Sequence, residues 1–329
     1  MQVIEITHPY HPTDIVDQDI VLALGFFDGV HLGHQHVIKV AQAYAQAQDL
    51  PLAVMTFDQQ PKIFYSELKA SEVEYVSSNQ RRTELFAELG VDYLYMVHYS
   101  HEFGSQSPQA FVDDYMVGLH AKIVVAGFDY TYGPSHLANM QTLPMHAKGR
   151  FKVVEVPELQ VQTHKVGSRF ILDYLKEGQL DQANLELGYI YQTHGKVIHG
   201  EKRGRTIGFP TANIQHFGQQ VIPKIGVYVV AIKVENIWHR AMASIGYNVT
   251  FPGDRGLSIE VYILDFAQDI YGQEVDIRWY HYLRGEIKFD SAQGLIDQLN
   301  QDREDTILYF QAHPDYQRED SLAHEETID

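Results

Sequence analysis

The chain has 329 residues, 45% of them hydrophobic and 21% charged, with a formal net charge of −18 and no cysteine. Such a length exceeds what one hydrophobic core usually spans, so two domains are expected. Net acidity of this size repels nucleic acid and anionic membranes, and the missing thiols exclude disulfides and thiolate metal sites.

The opening MQVIEITHPYHP lacks the basic-then-apolar layout of a signal peptide. Apolar runs stay well below the roughly 18 residues of a membrane span. A soluble, cytoplasmic chain is therefore expected. Residues 20–27 (IVLALGFF) form a near-continuous apolar run, the pattern of a buried parallel strand. Residues 35–48 follow with apolar positions Val37, Val40, Ala41, Tyr44 and Ala45 at helical spacing. Strands are expected over 52–57, 93–97, 122–128 and 151–156, and helices over 82–89 and 109–119. This β-α-β-α order predicts a doubly wound sheet. Residues 175–186 read as a structured helical connector apart from Gly178. Beyond it the pattern changes to short strands at 226–234, 241–245, 257–264 and 275–280, set off by Gly, Pro, Asn and Asp, which predicts an antiparallel barrel or sandwich. A last helix should start at Ser291, and residues 313–329 form a polar, acidic tail expected to be mobile. The domains predicted are 1–185 and 186–312.

One cluster of chemistry-bearing residues lies in 25–35, GFFDGVHLGHQ, where the first buried strand meets a helix. Ligands bind at carboxyl strand edges in open α/β sheets, and helix N-termini present free amides to phosphate. His31 and His34 bracket Gly33, so two imidazoles could donate to an α-phosphate as charge builds during nucleotidyl transfer. A bare HxGH in a chain with 18 histidines is compatible with an incidental turn. The complete string at a strand–helix junction is far more specific.

A second cluster spans 195–213, GKVIHGEKRGRTIGFPTAN. Its glycines, Gly204 and Gly208 among them, let amides approach phosphate, and Lys202, Arg203 and Arg205 supply charge the rest of the chain lacks. Thr211 and Asn213 offer hard oxygen donors suited to Mg²⁺. Downstream, in IEVYILDF (259–266), Ile259, Val261 and Ile263 share one face of a strand and Glu260 points to the other. Glu260 is there either a solvated carboxylate or a base. Arg284, in YLRGEIKF, either touches a ligand or forms a structural ion pair.

The string GFFDGVHLGHQ resembles the HIGH-type motif of bacterial FAD synthetases, and GRTIGFPTAN closely resembles the signature of riboflavin kinases. Together they make the chain similar to the bacterial bifunctional riboflavin kinase/FMN adenylyltransferases over residues from about 18 to 310. The resemblance implies an α/β plus β protein: an N-terminal Rossmann-like nucleotidyltransferase domain and a C-terminal six-stranded antiparallel β-barrel kinase domain. It implies ATP as co-substrate, Mg²⁺ as cofactor, and riboflavin, FMN and FAD as ligands, with no nucleic acid or membrane partner and no indication of oligomeric state. Gly25, Phe27, Asp28, Gly29, Gly33 and Ser168 would bind ATP in the first domain, with Asp129 at the flavin. Gly204, Arg205, Gly208, Thr211 and Asn213 would bind ATP phosphates in the second, Thr211 and Asn213 also holding the metal. Glu260 would be the general base and Arg284 would touch flavin.

The sequence departs from the family at several points. Val249 replaces a usual proline. The phosphate motif ISSTxxR is reduced to VGSRFIL, with Arg169 at the threonine position and Leu172 at the closing arginine. Leucine cannot supply a bidentate, charge-assisted contact; Arg169 or Lys165 could substitute. Gln60 replaces a usual histidine, and GFDYTYG (127–133) stands for DFxFG. Competing readings are a kinase with a degenerate first domain, a non-catalytic flavin- or nucleotide-binding sensor, and a cytidylyltransferase-like enzyme using the first domain alone.

Overall fold

The computed structural model describes residues 1–66, 69–161, 164–200, 203–247, 257–314 and 316; the side chains of residues 164, 203 and 205 lie outside that description. So do Lys202, Val249 and most of the expected tail. Two compact units are present, Met1–Ser168 and Arg169–Asp329.

In the first unit, strands β1 (Gln2–Ile6), β2 (Ile20–Leu24), β3 (Leu52–Phe57), β4 (Tyr93–Val97), β5 (Ala121–Gly127) and β6 (Lys152–Val156) form one sheet in the order β1-β4-β3-β2-β5-β6. Every adjacent pair is parallel. Parallel strands need crossovers. The helices supplying them include α1 (Leu32–Gln48), α2 (Asn79–Glu88), α3 (His101–Gly104), α4 (Pro108–Val112) and α5 (Leu143–Ala147). Every residue of β2 and β3 is buried, as strands covered on both faces must be. The helix expected over 109–119 is instead α4 running into a π-helical turn, Asp113–Val117. A small hairpin, β7 (Gln160–Val161) and β8 (His164–Lys165), follows β6.

From β2 the chain winds one way to β3 and β4. It reaches β5 and β6 on the other side of β2. The order reverses between β2 and β5, and a crevice opens at their carboxyl ends.

The second unit opens on helices α6 (Ser168–Glu177, its first residue still in the first unit) and α7 (Leu180–Leu187). One helix was expected there; Gly178, at φ +79°, turns left-handed and divides it. The barrel follows: β9 (Tyr191–Ile198), the single turn α8 (Arg203–Thr206), β10 (Ala212–His216), β11 (Gly226–Val234), β12 (Ile237–Tyr247), β13 (Leu257–Ile263) and β14 (Glu274–Arg284). These six strands close in the order β10-β13-β12-β11-β14-β9, and every pair is antiparallel. Closure removes the unpaired edges that a six-stranded open sheet would leave. Trp279 is fully buried and satisfies its indole N–H by donating to Thr193 Oγ1 at 2.9 Å. Helix α9 (Ala292–Ala312), capped by Ser291 as expected, buries Phe310 and Asp302.

Candidate active site

In the first unit, the loop after β2 is held in an unusual shape. Phe27 (φ 54°) and Val30 (φ 36°) both occupy the left-handed region. For a β-branched residue that conformation is strained, and it persists only where surroundings impose it. The surroundings are visible. Asp28 is buried, and its carboxylate accepts from the amides of Val76 (3.1 Å) and Ser77 (3.0 Å). Ser77 Oγ accepts from the Gly29 amide at 2.8 Å. Gln35 donates to Val30 O at 3.0 Å. Asp28 thus spends its side chain on scaffold. Gly25 lies under the Phe27 ring, and Gly33 lies beside the His31 ring.

His31 caps α1, its Nδ1 accepting from the His34 amide at 3.4 Å. The two rings stack with centroids 3.6 Å apart. Burial pushes His31 down to about 4. Burial also holds His34 well below its usual value, assisted by the neighbouring His31 ring and by the charges of Arg82 and Lys165. Both imidazoles are therefore neutral at pH 7, and each keeps one N–H to donate. His34 Nδ1 is buried with no hydrogen-bond partner among the described residues.

Across the crevice, β5 ends at Gly127, and Asp129 follows. Lys165 Nζ meets Asp129 Oδ2 at 2.8 Å, and both act electrostatically on His31. Ser168 Oγ donates to Asp28 O at 2.8 Å. The fold therefore gathers the loop at 25–33, Asp129, Lys165 and Ser168 at one switch point. Leu172 is apolar where the family resemblance implies a phosphate contact, and Lys165 is a cation acting on both histidines.

Sequence reasoning missed a neighbouring cavity of about 520 Å³. Phe57, Tyr65, Tyr99, Phe103, Tyr130 and Tyr132 line it, with Lys62 also on its wall. Tyr65 and Tyr99 share a hydrogen bond of 2.7 Å. The aromatic residues of 57–65, 99–103 and 130–132 were the available signal, but nothing in the sequence placed those three segments together. Gln60 presents its backbone amide to Tyr75 Oη at 3.1 Å.

The second unit holds the tighter constellation. Thr211 Oγ1 donates to Glu260 Oε2 at 3.0 Å. Asn213 pairs directly with Glu260 in the β10–β13 register, and its side chain covers Gly200 so closely that a Cβ there would collide. Gly204 is equally constrained: a Cβ would strike the Phe209 carbonyl, so the turn leading into β10 admits only glycine. Gly208, at φ +86°, faces open space. Two cavities adjoin this cluster. One, of about 710 Å³, is lined by Gly204, Phe209, Thr211, Glu260, Tyr262 and Arg284 among others. The second, of about 560 Å³, is lined by Val197, Pro210, Thr211, Ile263, Asp269 and Tyr271 among others. Thr211 belongs to both. Arg284 reaches the larger cavity's wall, but its guanidinium is engaged by Asp302, at 2.8 and 2.6 Å. That bidentate pair ties β14 to α9.

A parallel sheet with a strained loop and a helix N-terminus at its switch point, joined to a closed barrel in which Thr211 lines two cavities and contacts Glu260 on the wall of the larger, defines a two-module nucleotide-using transferase. A family model described as FAD synthetase matches residues 14–170, and one described as riboflavin kinase matches 187–310. The chain is 49% identical over 310 residues to a bifunctional riboflavin kinase/FMN adenylyltransferase of Listeria monocytogenes, covering 94% of this chain and 98% of that one. It is 39% identical over 312 residues to the Bacillus subtilis protein of the same name, with 94% and 98% covered. A crystal structure titled as a macrolide-efflux protein from Streptococcus pneumoniae superimposes with a TM-score of 0.85 at 37% identity, covering 92% of this chain and 98% of that one. Among the described residues, no helix of this chain is long and apolar enough to cross a membrane. The chain belongs to the bifunctional riboflavin kinase/FMN adenylyltransferase family.

Proposed function

We propose that this chain builds flavin cofactors in two ATP-dependent steps. The second unit converts riboflavin and ATP to FMN and ADP; the first converts FMN and ATP to FAD and pyrophosphate. The observation that carries the reading is the Thr211–Glu260 contact of 3.0 Å at the junction of two cavities. A phosphoryl transfer needs such a donor chamber and acceptor chamber meeting at a base.

In the kinase step, Glu260 takes the proton of the ribityl hydroxyl as that oxygen attacks the γ-phosphorus. Thr211 orients the carboxylate through its hydroxyl. Flavin occupies the larger cavity, against Phe209 and Tyr262, which sit 5.1 Å apart; the nucleotide occupies the smaller. Arg284 supports that wall from its pairing with Asp302. The donor set of Thr211 hydroxyl and Asn213 amide oxygen suits Mg²⁺, which also takes phosphate and water. The metal would neutralise charge on the transferring phosphates. The glycines Gly204 and Gly208 let the loop's amides approach those phosphates, with Arg205 adding charge.

In the adenylylation step, an FMN phosphate oxygen attacks the α-phosphorus and pyrophosphate departs. The backbone from Gly25 through Phe27, Asp28, Gly29 and Gly33, together with Ser168, cradles ATP at the head of α1. Neutral His31 and His34 donate to the α-phosphate as its charge builds. The aromatic cavity beside Phe57 and Tyr99 receives the isoalloxazine ring, with Asp129 at its approach. Both steps draw on ATP and act on small soluble ligands, which supports a cytoplasmic enzyme.

The second reading, a kinase with an idle first unit, is favoured by Leu172 and Gln60. Incubation with riboflavin, ATP and Mg²⁺, followed by chromatography of the flavins, separates the two. FMN followed by FAD is the expected result. FMN alone at long times supports the idle unit, and unchanged riboflavin removes both.

A further inference from the structure

Arg82 is 1% exposed, one of the largest side chains in the protein to be buried so completely. It stands on α2, behind the loop at 25–33. Its Nη1 donates to Phe26 O at 2.7 Å and to Thr56 Oγ1 at 3.1 Å. Its Nη2 donates to Phe57 O at 2.8 Å and also to Asn79 Oδ1. The guanidinium also lies 4.9 Å from the Phe26 ring centroid. Phe26 O, Thr56 Oγ1 and Phe57 O sit at the carboxyl ends of β2 and β3, the two strands that deliver the loop and the aromatic cavity, and Asn79 is the first residue of α2. Thr56 closes the arrangement by donating to Phe26 O at 2.7 Å.

The acceptors are neutral. Among the described residues no carboxylate lies within ion-pair distance of Arg82, and its Nε has no hydrogen-bond partner. The carboxylates of Asp28 and, more weakly, Asp58 act on it from a distance, but Asp28 is committed to the Val76 and Ser77 amides and Asp58 to His98 and the Tyr99 amide. A buried cation that is hydrogen-bonded but not neutralised is costly, and cheaper neutral residues would satisfy a purely structural role. Such a charge is retained where an anion arrives. The low dielectric behind the loop lets it act across distances at which water would screen it.

We propose that Arg82 is a positioning residue of the adenylyl-transfer site, fastening the ends of β2 and β3 and holding a buried positive charge that draws the nucleotide's phosphates onto the loop at 25–33. The role rests on the adenylyltransferase reading of the first unit. Arg82 and Lys165 are cations that act on His34.

The test compares Arg82→Lys and Arg82→Met with the unaltered protein. FMN is supplied directly, so that the kinase step does not enter. The methionine variant should raise the KM for ATP at least tenfold. The lysine variant, which keeps the charge without the fork, should stay within about threefold in KM while losing kcat. Riboflavin phosphorylation should be unchanged in both. A parallel measurement follows hydrogen–deuterium exchange of residues 25–33 with and without ATP, which reports on the loop whether or not FAD is made. ATP should protect the loop in the unaltered and lysine proteins and not in the methionine variant. If the unaltered protein makes no FAD yet shows this protection pattern, the adenylyltransferase reading falls and Arg82 keeps only its part in drawing the nucleotide's phosphates onto the loop. Unchanged KM and protection in the methionine variant overturn the proposal. So does equal loss in both variants accompanied by faster loop exchange without ATP, which would make Arg82 a strut and nothing more.

Discussion

Thr211 and Glu260 stand 49 positions apart in the chain and 3.0 Å apart in space. That proximity is what the proposed base and its orienting partner require. Glu260→Gln keeps the shape of the site and removes the proton acceptor. FMN formation should fall about 1000-fold with the KM for ATP little altered; an initial-rate assay reads it, and substantial residual turnover would take Glu260 out of the mechanism. The Arg284–Asp302 pair is a question of stability. Asp302 is 1% exposed, and Asp302→Ala leaves a guanidinium partly buried without its partner. The second unit should lose about 3 kcal/mol, read from the urea midpoint. His31 makes a pH statement. Its folded value of about 4 lies below the unfolded 6.5, so the unfolded chain binds more protons between those limits. Stability is fully present above pH 6.5 and declines as pH falls toward 4, by up to about 3 kcal/mol. His31→Gln should flatten that dependence in unfolding measured from pH 7 to 4, and an unaltered slope would mean that His31 is already solvated.

The elements that the sequence made legible are those with a strong repeating pattern. The strands at 52–57 and 93–97 have the expected bounds, because continuous apolar runs flanked by polar residues admit one assignment. Strand β1 was not anticipated. QVIEI leaves four of its five residues incompletely buried at a sheet edge, so its strand state comes from pairing with β4 and not from its own pattern. Strand β10 was likewise hidden, since ANIQH buries only Ile214 and is defined by β9 and β13 on either side. The turn before β10 is a sharper case. Gly204 is pressed against the Phe209 carbonyl, so Gly204→Ala must displace the segment that presents Thr211. Kinase activity should drop at least tenfold while FAD formation from supplied FMN is retained, as paired assays on one preparation would establish. Equal activities in variant and parent would show the turn able to relax.

At the scale of the whole molecule, each unit carries its own core and its own candidate site. His34→Ala should accordingly abolish FAD and leave FMN production intact; joint loss of both products would mean that the units do not work separately. The sequence by itself determined the class of each unit, the loop at 25–33 and the residues of GRTIGFPTAN. Local pattern and contiguous motifs encode these, and a motif keeps its neighbours wherever the chain goes. Only the tertiary structure decided that Asp28 and Arg284 point into the scaffold, that three separate aromatic segments enclose one cavity, and that Arg82 lies buried behind the nucleotide loop. Each of these depends on contacts between residues far apart in the chain. Burial and partner choice are properties of that assembled packing, and a one-dimensional pattern carries no record of which distant side chain arrives opposite a given charge.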